Sequence, residues 1–477
     1  MRSKKKVSEF LVKLERVYKT NIPGFDALLS ADRLSAGASQ ETYRIVVKIK
    51  GKDVIHALRR SAGGVTREIT SEHPGLEAEA MLMKAAVESN IPVPKVLHVM
   101  QESDGLGAGF IMEWLEGETL GARIVRHPSF ESLRETLAAQ CGRLLAKIHA
   151  IDLDSTQLRS VLAEITPVEI IQQTWSKYQE LNSSQAMIDY TAIWLLNNLP
   201  ENLSKNCLVH NDFRNGNIMV SPSEVVAVLD WELAYIGDPM RDLGWICVNS
   251  WRFGSNQPVG GFGEYEDLFI AYERESGQKV DRAAVKFWEV FGSFWWAIAC
   301  LGMAEHYRTG PDKSVERPAI ARRSSESQID CVNLLIPGYV SDFPTDASSS
   351  DQIPTSIELL ESVMVFLREE VMGETEGRTQ FLARVSANSL DIVKRELQYG
   401  ERSQSSEQKR LQEFYDSEDD LESLRWRLTK ALRSGEQSID NEALKTHLRQ
   451  TVFDQINIDQ PKYTGLRTCE MYERVES

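Results

Sequence analysis

Several features are missing from this sequence, and each absence removes a class of protein. The six cysteines are scattered over 477 residues, and none forms the C-x-x-C pairs of zinc sites or redox motifs. The basic start MRSKKK is not followed by an uninterrupted apolar segment either, since the next stretch is amphipathic and carries Glu9 and Lys13. We therefore expect a cytoplasmic protein with reduced thiols, without an export signal or a membrane span.

Positive charge is also scarce. The chain has 54 lysines and arginines against 70 acidic residues, which gives a formal net charge of −16. Binding to nucleic acid depends on cations that neutralise phosphates, so we expect no nucleic-acid partner. With 42% hydrophobic and 26% charged residues the composition is that of an ordinary globular protein, and the length favours two or three domains.

The composition changes along the chain and predicts four segments. Residues 1–115 hold a leading helix and short β-like runs, whereas residues 116–340 are mostly helical. Residues 341–354 (SDFPTDASSSDQIP) have the composition of a linker. Residues 355–477 begin with a capping box, Thr355 and Glu358, and then repeat leucines at helical spacing. We therefore expect an α+β domain followed by an all-α bundle, through which the chain could form homo-oligomers.

The chemistry is concentrated in residues 207–243, CLVHNDFRNGNIMVSPSEVVAVLDWELAYIGDPMRDL. Two β-branched runs flank the turn signal SPSE, so the segment predicts a hairpin that brings Asn217 opposite Asp230. Asp212 lies five residues before Asn217. Phosphoryl transfer needs oxygen ligands for Mg²⁺, a carboxylate for the attacking hydroxyl and cations for the phosphates. We assign Asp212 as the base, Asn217 and Asp230 as metal ligands, and Arg214 as a neutralising cation.

This segment resembles the catalytic loop and metal-binding strand of the aminoglycoside phosphotransferase-like kinases, with the pattern H-x-D-x-x-x-x-N followed by D-x-[ED]. HNDFRNGN and AVLDWELAYIGDPMRDL resemble most closely the branch that is fused to acyl-CoA dehydrogenases in animals. The resemblance covers about residues 25–340 and implies a bilobal protein-kinase-like fold with ATP as co-substrate. It also suggests an acyl-CoA dehydrogenase as a partner. The tail resembles a helical family of unknown function.

The resemblance directs attention to residues upstream of the catalytic segment. The stretch LSAGASQETYRI would be the loop over the phosphates, with Gly37 and Ser39. Arg59, with Arg60 as its rival, stands where the family usually has lysine, and a bidentate guanidinium can hold phosphate oxygens. Glu79 is its expected ion-pair partner, with Glu77 as the alternative.

The resemblance also implies backbone contacts to adenine from around Glu113 and Leu115. Two roles stay open for Glu232, that of a metal ligand and that of a salt-bridge partner. His210 is expected to shape the loop. A stripe of aromatic residues belongs either to the core or to a substrate pocket, and the sequence leaves both open; it consists of Trp288, Phe291, Trp295 and Trp296.

The predicted function is ATP- and Mg²⁺-dependent phosphorylation of a hydroxyl group on a small molecule. The resemblance points to a hydroxyacyl compound or its CoA thioester. One alternative is an antibiotic kinase, whose cationic substrate would require carboxylates such as Glu232, Asp238 and Asp242. A second alternative is a nucleotide-binding pseudokinase or scaffold, although Asp212, Asn217 and Asp230 are all present.

Overall fold

The computed structural model describes residues 2–34, 40–61, 63, 69–70, 73–200, 205–343 and 354–471. Packing divides the chain into two compact units. Unit 1 consists of Met1–Thr166, Asn202–Cys247 and Trp251–Val285, and unit 2 of Pro167–Glu201, Val248–Ser250 and Lys286–Ser477. Many helices of the predicted second segment thus pack with the C-terminal helices, while the linker assigned to residues 341–354 stays a prediction.

Unit 1 begins with a helix and a five-stranded antiparallel sheet, as the sequence predicts. The helix is α1 (Arg2–Asn21). The strands are β1 (Phe25–Arg33), β2 (Gln40–Ile49), β3 (Lys52–Ser61), β4 (Val96–Val99) and β5 (Gly109–Glu113), in the spatial order β1-β2-β3-β5-β4. Lys50 and Gly51 both have positive φ between β2 and β3, which is the backbone of the tight turns that match the twist of a hairpin.

Apolar residues of α1 cover this sheet. Leu14, Val17 and Tyr18 are buried together with Ile45 and Val47 of β2. The helical spacing of the first three and the alternation of the last two place each set on a single face. Burial of these faces is the main stabilising term for this part of unit 1.

In its described residues, the rest of unit 1 contains four short strands and five complete α-helices. The strands form two antiparallel pairs: β6 (Cys207–Val209) with β9 (Tyr235–Gly237), and β7 (Ile218–Val220) with β8 (Val225–Val228). The helices are α2 (Gly75–Glu88), α3 (Gly121–Arg126), α4 (Glu131–His149), α7 (Met240–Trp245) and α8 (Tyr265–Ser276). The β7–β8 pair is the hairpin that the SPSE turn signal predicts.

All the regular secondary structure in the described residues of unit 2 is helical, and loops connect the helices. Its helices are α5 (Pro167–Glu180), α6 (Ala186–Asn197), most of α9 (Arg282–Thr309), α10 (Glu316–Ala321), α11 (Ser324–Leu335), α12 (Ser356–Val365), α13 (Met372–Glu374), α14 (Gly377–Tyr415), α15 (Leu421–Ser434), α16 (Glu442–Asp459) and α17 (Thr464–Glu470). Its core joins Ile329 and Val332 of α11 to Leu444 and Leu448 of α16.

The tail contains the predicted capping box, ends a second helix on a glycine, and leaves part of an apolar stripe exposed. Thr355 and Glu358 form the capping box of α12, and Gly435 ends α15 in the left-handed conformation. However, Leu359 and Val363 on α12 are about half exposed. Helical spacing identified the helix correctly, but an apolar stripe does not by itself show that a partner covers it.

Helix α9 holds the aromatic stripe. Trp288 and Phe291 are fully buried, so these two rings belong to the core, while Trp295 and Trp296 are partly buried. By length and composition α9 is the one helix in the described residues that could cross a membrane, yet 61% of its apolar window is buried within the protein. A buried core helix has these properties too.

Candidate active site

The loop after β6 carries the predicted base and is anchored by Asp242. The Asp242 carboxylate accepts hydrogen bonds from the backbone amides of His210 and Asn211, both at 2.8 Å. It also contacts Nε2 of His149 at 3.1 Å. Burial alone would raise the pKa of Asp242, but these bonds and the nearby histidines outweigh it and hold the pKa below its usual range. Asp242 therefore holds the backbone of this loop in place.

His210 shapes this loop rather than lining it. It is fully buried and its ring lies 4.5 Å from that of Trp231. Its Nδ1 accepts the backbone amide of Asp212 at 3.2 Å. Burial lowers the pKa of His210, so its ring is neutral. This placement fits the structural role expected from the sequence.

Asp212 lies among three side-chain donors. Arg214 Nε donates to Oδ1 at 2.9 Å, and Trp245 Nε1 donates to the same oxygen at 3.0 Å. The amide nitrogen of Asn217 donates to Oδ2. The Arg214 guanidinium stacks 4.5 Å from the ring of Trp251. These bonds hold the carboxylate in one orientation. A general base needs such an orientation to accept a proton from a hydroxyl group.

Local backbone geometry permits this arrangement. Gly216 has φ of +112°, and a Cβ there would lie 2.7 Å from Nη1 of Arg214. Asn211 and Asp230 also have positive φ, at 65° and 68°. Such conformations are uncommon for residues with side chains and cluster at functional sites.

The β7–β8 hairpin brings Asn217 next to the segment that carries Asp230. Ile218 pairs with Val228, and the Leu229 amide donates to the Asn217 carbonyl at 2.8 Å. Because the Asn217 amide nitrogen is bonded to Asp212, its amide oxygen is left for another partner. Leu229 thus lies opposite Asn217, and Asp230 follows one residue beyond at the end of the hairpin, close to the position predicted from the sequence.

Arg59 on β3 contacts Glu79 on α2 and the acidic residues that follow β8. Its guanidinium donates to Asp230, lies 3.2 Å from Glu79 and 3.5 Å from Glu232. Burial would lower the pKa of Arg59, but these three carboxylates outweigh it and raise the pKa further. Burial raises the pKa of Glu79, against the opposing effect of Arg59. The four side chains form one charge cluster, in which Glu79 is buried while Asp230 and Glu232 are partly exposed.

The structure distinguishes the two pairs of rivals. Arg60 points away from this cluster, since it bonds to Glu41 at 2.7 Å and stacks 4.5 Å from the ring of Phe10. Glu77 is exposed, whereas Glu79 is buried. Adjacent residues of a strand face opposite sides of a sheet, so only one of Arg59 and Arg60 can reach the cluster.

Other predicted residues lie outside this cluster or outside the described structure. Gly37 and Ser39 fall outside the described residues. Glu113 ends β5, and its amide donates to the Lys95 carbonyl at 2.9 Å; Leu115 follows two residues later. No contact in the structure assigns a role to Glu113 or Leu115, so their adenine contacts stay predictions.

Sequence reasoning missed three residues of the site. Trp245 and Trp251 reach Asp212 and Arg214 from segments more than 30 residues away, and no local motif marks them. Gln40, at the start of β2, donates to Glu232 at 2.7 Å. It lies within the stretch LSAGASQETYRI that was predicted as the phosphate loop, and the structure shows that β2 begins at this residue.

The donor set can be tested against Mg²⁺ chemistry. Asp230 and Glu232 offer carboxylate oxygens and Asn217 an amide oxygen, which are the hard ligands that Mg²⁺ prefers. Asp230 is 31% exposed at its side chain, so it is within reach of solvent and of a cation. These residues fit such an ion, provided that Arg59 yields part of its contact with Asp230.

Comparison with known proteins agrees with this geometry. Residues 30–288 match the model of the phosphotransferase enzyme family APH. The chain therefore belongs to this phosphotransferase family, which supports a small-molecule kinase. Residues 373–463 match a domain family of unknown function, DUF6285.

Individual relatives can then be named. The chain is 32% identical over 235 residues to mouse acyl-CoA dehydrogenase family member 10, covering 47% of this chain and 21% of that protein. It is 25% identical over 402 residues to human acyl-CoA dehydrogenase family member 11, covering 79% of this chain and 50% of that protein. The chain thus spans at most half the length of these two relatives.

A solved structure from Ralstonia eutropha, provisionally assigned to the aminoglycoside phosphotransferases, is similar in fold. It has a TM-score of 0.54 at 23% identity and covers 66% of this chain and 95% of its own. At this identity the likeness concerns the fold alone. It confirms the predicted bilobal kinase-like fold with a β-rich first lobe.

Proposed function

We propose that this protein transfers the γ-phosphoryl group of Mg²⁺-bound ATP to a hydroxyl group of a small molecule. The observation that carries the proposal is that the β7–β8 hairpin places two bonded pairs at its open end, Asn217 with Asp212 and Asp230 with Arg59. These pairs combine a positioned carboxylate, hard oxygen donors and a largely buried cation, which are the parts that phosphoryl transfer uses.

Each residue then has a role. Asp212 orients the acceptor hydroxyl and accepts its proton, while Arg214 neutralises the transferring group. Arg59, braced by Glu79, neutralises phosphate oxygens of the nucleotide. Asn217, Asp230 and Glu232 would hold Mg²⁺, which neutralises charge on the phosphates when bound. Positioning and charge neutralisation account for most of the catalysis in this class of reaction.

The nucleotide contacts complete the proposal. We assign the phosphate loop to the segment with Gly37 and Ser39, because β2 starts directly after it and Gln40 contacts Glu232. We assign the adenine contacts to backbone groups of Glu113 and Leu115, just after β5.

For the acceptor we propose a hydroxyacyl compound or its CoA thioester. This rests on the relatives named acyl-CoA dehydrogenase family members, which also motivate an acyl-CoA dehydrogenase as partner. The scattered cysteines without close pairs motivate the cytoplasm as location. The antibiotic-kinase alternative is weakened, since two of its three expected carboxylates, Asp238 and Asp242, are buried and bonded to backbone amides. They are not available to bind a cationic sugar.

The first test is the melting temperature with ATP, with and without Mg²⁺, in the parent and in Asp230→Ala. Ligands that bind the native state raise the melting temperature by mass action. We expect a Mg²⁺-dependent rise in the parent that is lost in Asp230→Ala and kept in Asp53→Ala, an exposed carboxylate on β3. No rise in the parent would favour the scaffold alternative.

The second test separates binding from chemistry. Asp212→Ala should keep the rise in melting temperature with Mg²⁺ and ATP but lower phosphoryl transfer by about 100-fold to 10,000-fold, because it removes the base. Transfer to a panel of hydroxyacyl compounds, their CoA thioesters and aminoglycosides identifies the acceptor class. Equal transfer by Asp212→Ala and the parent would contradict the assigned base.

A further inference from the structure

A cavity of about 340 Å³ lies within unit 2, away from the residues of the candidate active site. Its lining comes from the start of α6 and from α11, α14, α15 and α16. Pockets for small molecules usually have volumes of about 300–1,000 Å³, so this one is large enough for a compact ligand. The chemistry of its walls indicates which kind.

One wall is aliphatic. It is formed by side chains that are almost completely buried, namely Met187, Leu411, Leu428, Leu448 and Val452. Contact between this wall and a hydrocarbon segment, in place of water, lowers the free energy of the complex.

The charged residues of the other wall are paired with one another. Arg425 donates from Nε to Glu407 at 2.9 Å and from a second nitrogen to the same carboxylate. Arg322 lies 3.3 Å from Asp459. All four charged side chains in the described lining therefore have a partner of opposite sign. A charged ligand would find no counter-ion there, and burial of an unpaired charge is costly.

His447 of α16 lines the same cavity and is only 6% exposed. Its Nδ1 is buried without a hydrogen-bond partner within the part of the chain that the structure describes. Burial, together with Arg410 and Arg425, lowers its pKa to about 3, so the ring is neutral. A neutral imidazole has one donor and one acceptor, and buried polar groups nearly always have partners.

We propose that this cavity is a binding site for a small uncharged molecule with an aliphatic segment and a hydroxyl or carbonyl group. The aliphatic segment lies against the leucine wall, and the polar group bonds to His447. The site is independent of the proposed kinase reaction, because none of the residues assigned to that reaction lines it.

Three probes of equal chain length test the proposal on the full chain: hexane-1,2-diol, hexanoate and hexylammonium. Binding is measured by calorimetric titration. We expect the diol to bind and the two ions to bind at least about tenfold more weakly, since they differ from the diol in charge. Absence of diol binding, or tighter binding of either ion, would overturn the proposal.

Two variants and a control assign the contact. His447→Leu should weaken diol binding about tenfold, and Ala186→Leu should also weaken it by filling the cavity at α6. His306→Leu makes the same exchange at an exposed position of α9 and should bind as the parent does. Unchanged binding in both cavity variants would show that the diol lies elsewhere.

The melting temperature of His447→Leu is a separate readout. Because Nδ1 of the imidazole is buried without a partner among the described residues, replacement of His447 by leucine should leave the melting temperature unchanged or raise it. A clear drop would mean that His447 has a structural role in the protein, which contradicts its assignment as a ligand anchor.

Discussion

At the scale of single residues, the position of Asp212 depends on groups that come from distant parts of unit 1. Arg214 is local, but Trp245 comes from α7, and Trp251 supports Arg214 by stacking. Hydrogen bonds to an ionised group are stronger than those between neutral groups. Trp245 is therefore a positioning residue for the proposed base.

Replacement of Trp245 by phenylalanine keeps an aromatic ring in the core and removes the indole N–H. We expect kcat for phosphate release from Mg²⁺-bound ATP to fall about tenfold, the value of one charged hydrogen bond, with little change in the KM for ATP. Steady-state assays would measure both constants. A rise in KM with unchanged kcat would contradict a role at Asp212.

Trp175→Phe is the matched control. It also removes an indole N–H that bonds to a buried carboxylate, Asp189, at 2.8 Å, but it does so in unit 2. It should lower the melting temperature while kcat stays at the parent value. This comparison separates positioning from a general loss of packing.

At the scale of elements, the close approach of α4 and α8 braces the loop that carries Asp212. His149 at the end of α4 contacts both Asp242 and Tyr272 of α8. Gly142 of α4 allows this approach, since a Cβ there would lie 2.3 Å from the carbonyl oxygen of Leu268. The obstacle is backbone and cannot rotate away.

Gly142→Ala should therefore destabilise the protein, although alanine is the better helix former. We expect a loss of about 1–3 kcal/mol from overpacking. Gly302→Ala on α9 has nothing within 4 Å of the new Cβ and should stabilise by about 0.5–1 kcal/mol. Thermal melts of both variants check the signs, and equal shifts in the two would refute the packing argument.

At the scale of the whole molecule, the formal charge of −16 is the dominant electrostatic feature. A large net charge destabilises a compact state through self-repulsion. Salt screens this repulsion, because the Debye length falls from about 30 Å at 0.01 M to about 8 Å at 0.15 M. Buried pairs such as Arg59 with Glu79 are screened much less.

We therefore expect the melting temperature to rise by about 1 °C between these two salt concentrations, which for a chain of this length corresponds to roughly 1 kcal/mol. Sodium chloride and potassium chloride should act alike if screening is the cause. A fall in melting temperature with salt would mean that attractive surface pairs outweigh the net repulsion.

Much of the site was predictable because its spacing is local. Asp212 and Asn217 lie five residues apart in one loop, and the SPSE turn signal brings Asn217 back towards Asp230. The caps at Thr355 and Gly435 likewise depend on neighbouring residues alone. Where a short segment decides the geometry, residue type and spacing are sufficient.

Tertiary packing decided the rest. Only the position of β3 relative to α2 selects Arg59 over Arg60 and Glu79 over Glu77, and only the fold brings Trp245 to Asp212. Helix α14, the longest described helix of the tail, was not predicted. Helical spacing also could not show that Leu359 and Val363 remain half exposed. These outcomes depend on contacts between residues far apart in the chain, whose pairing no local pattern encodes.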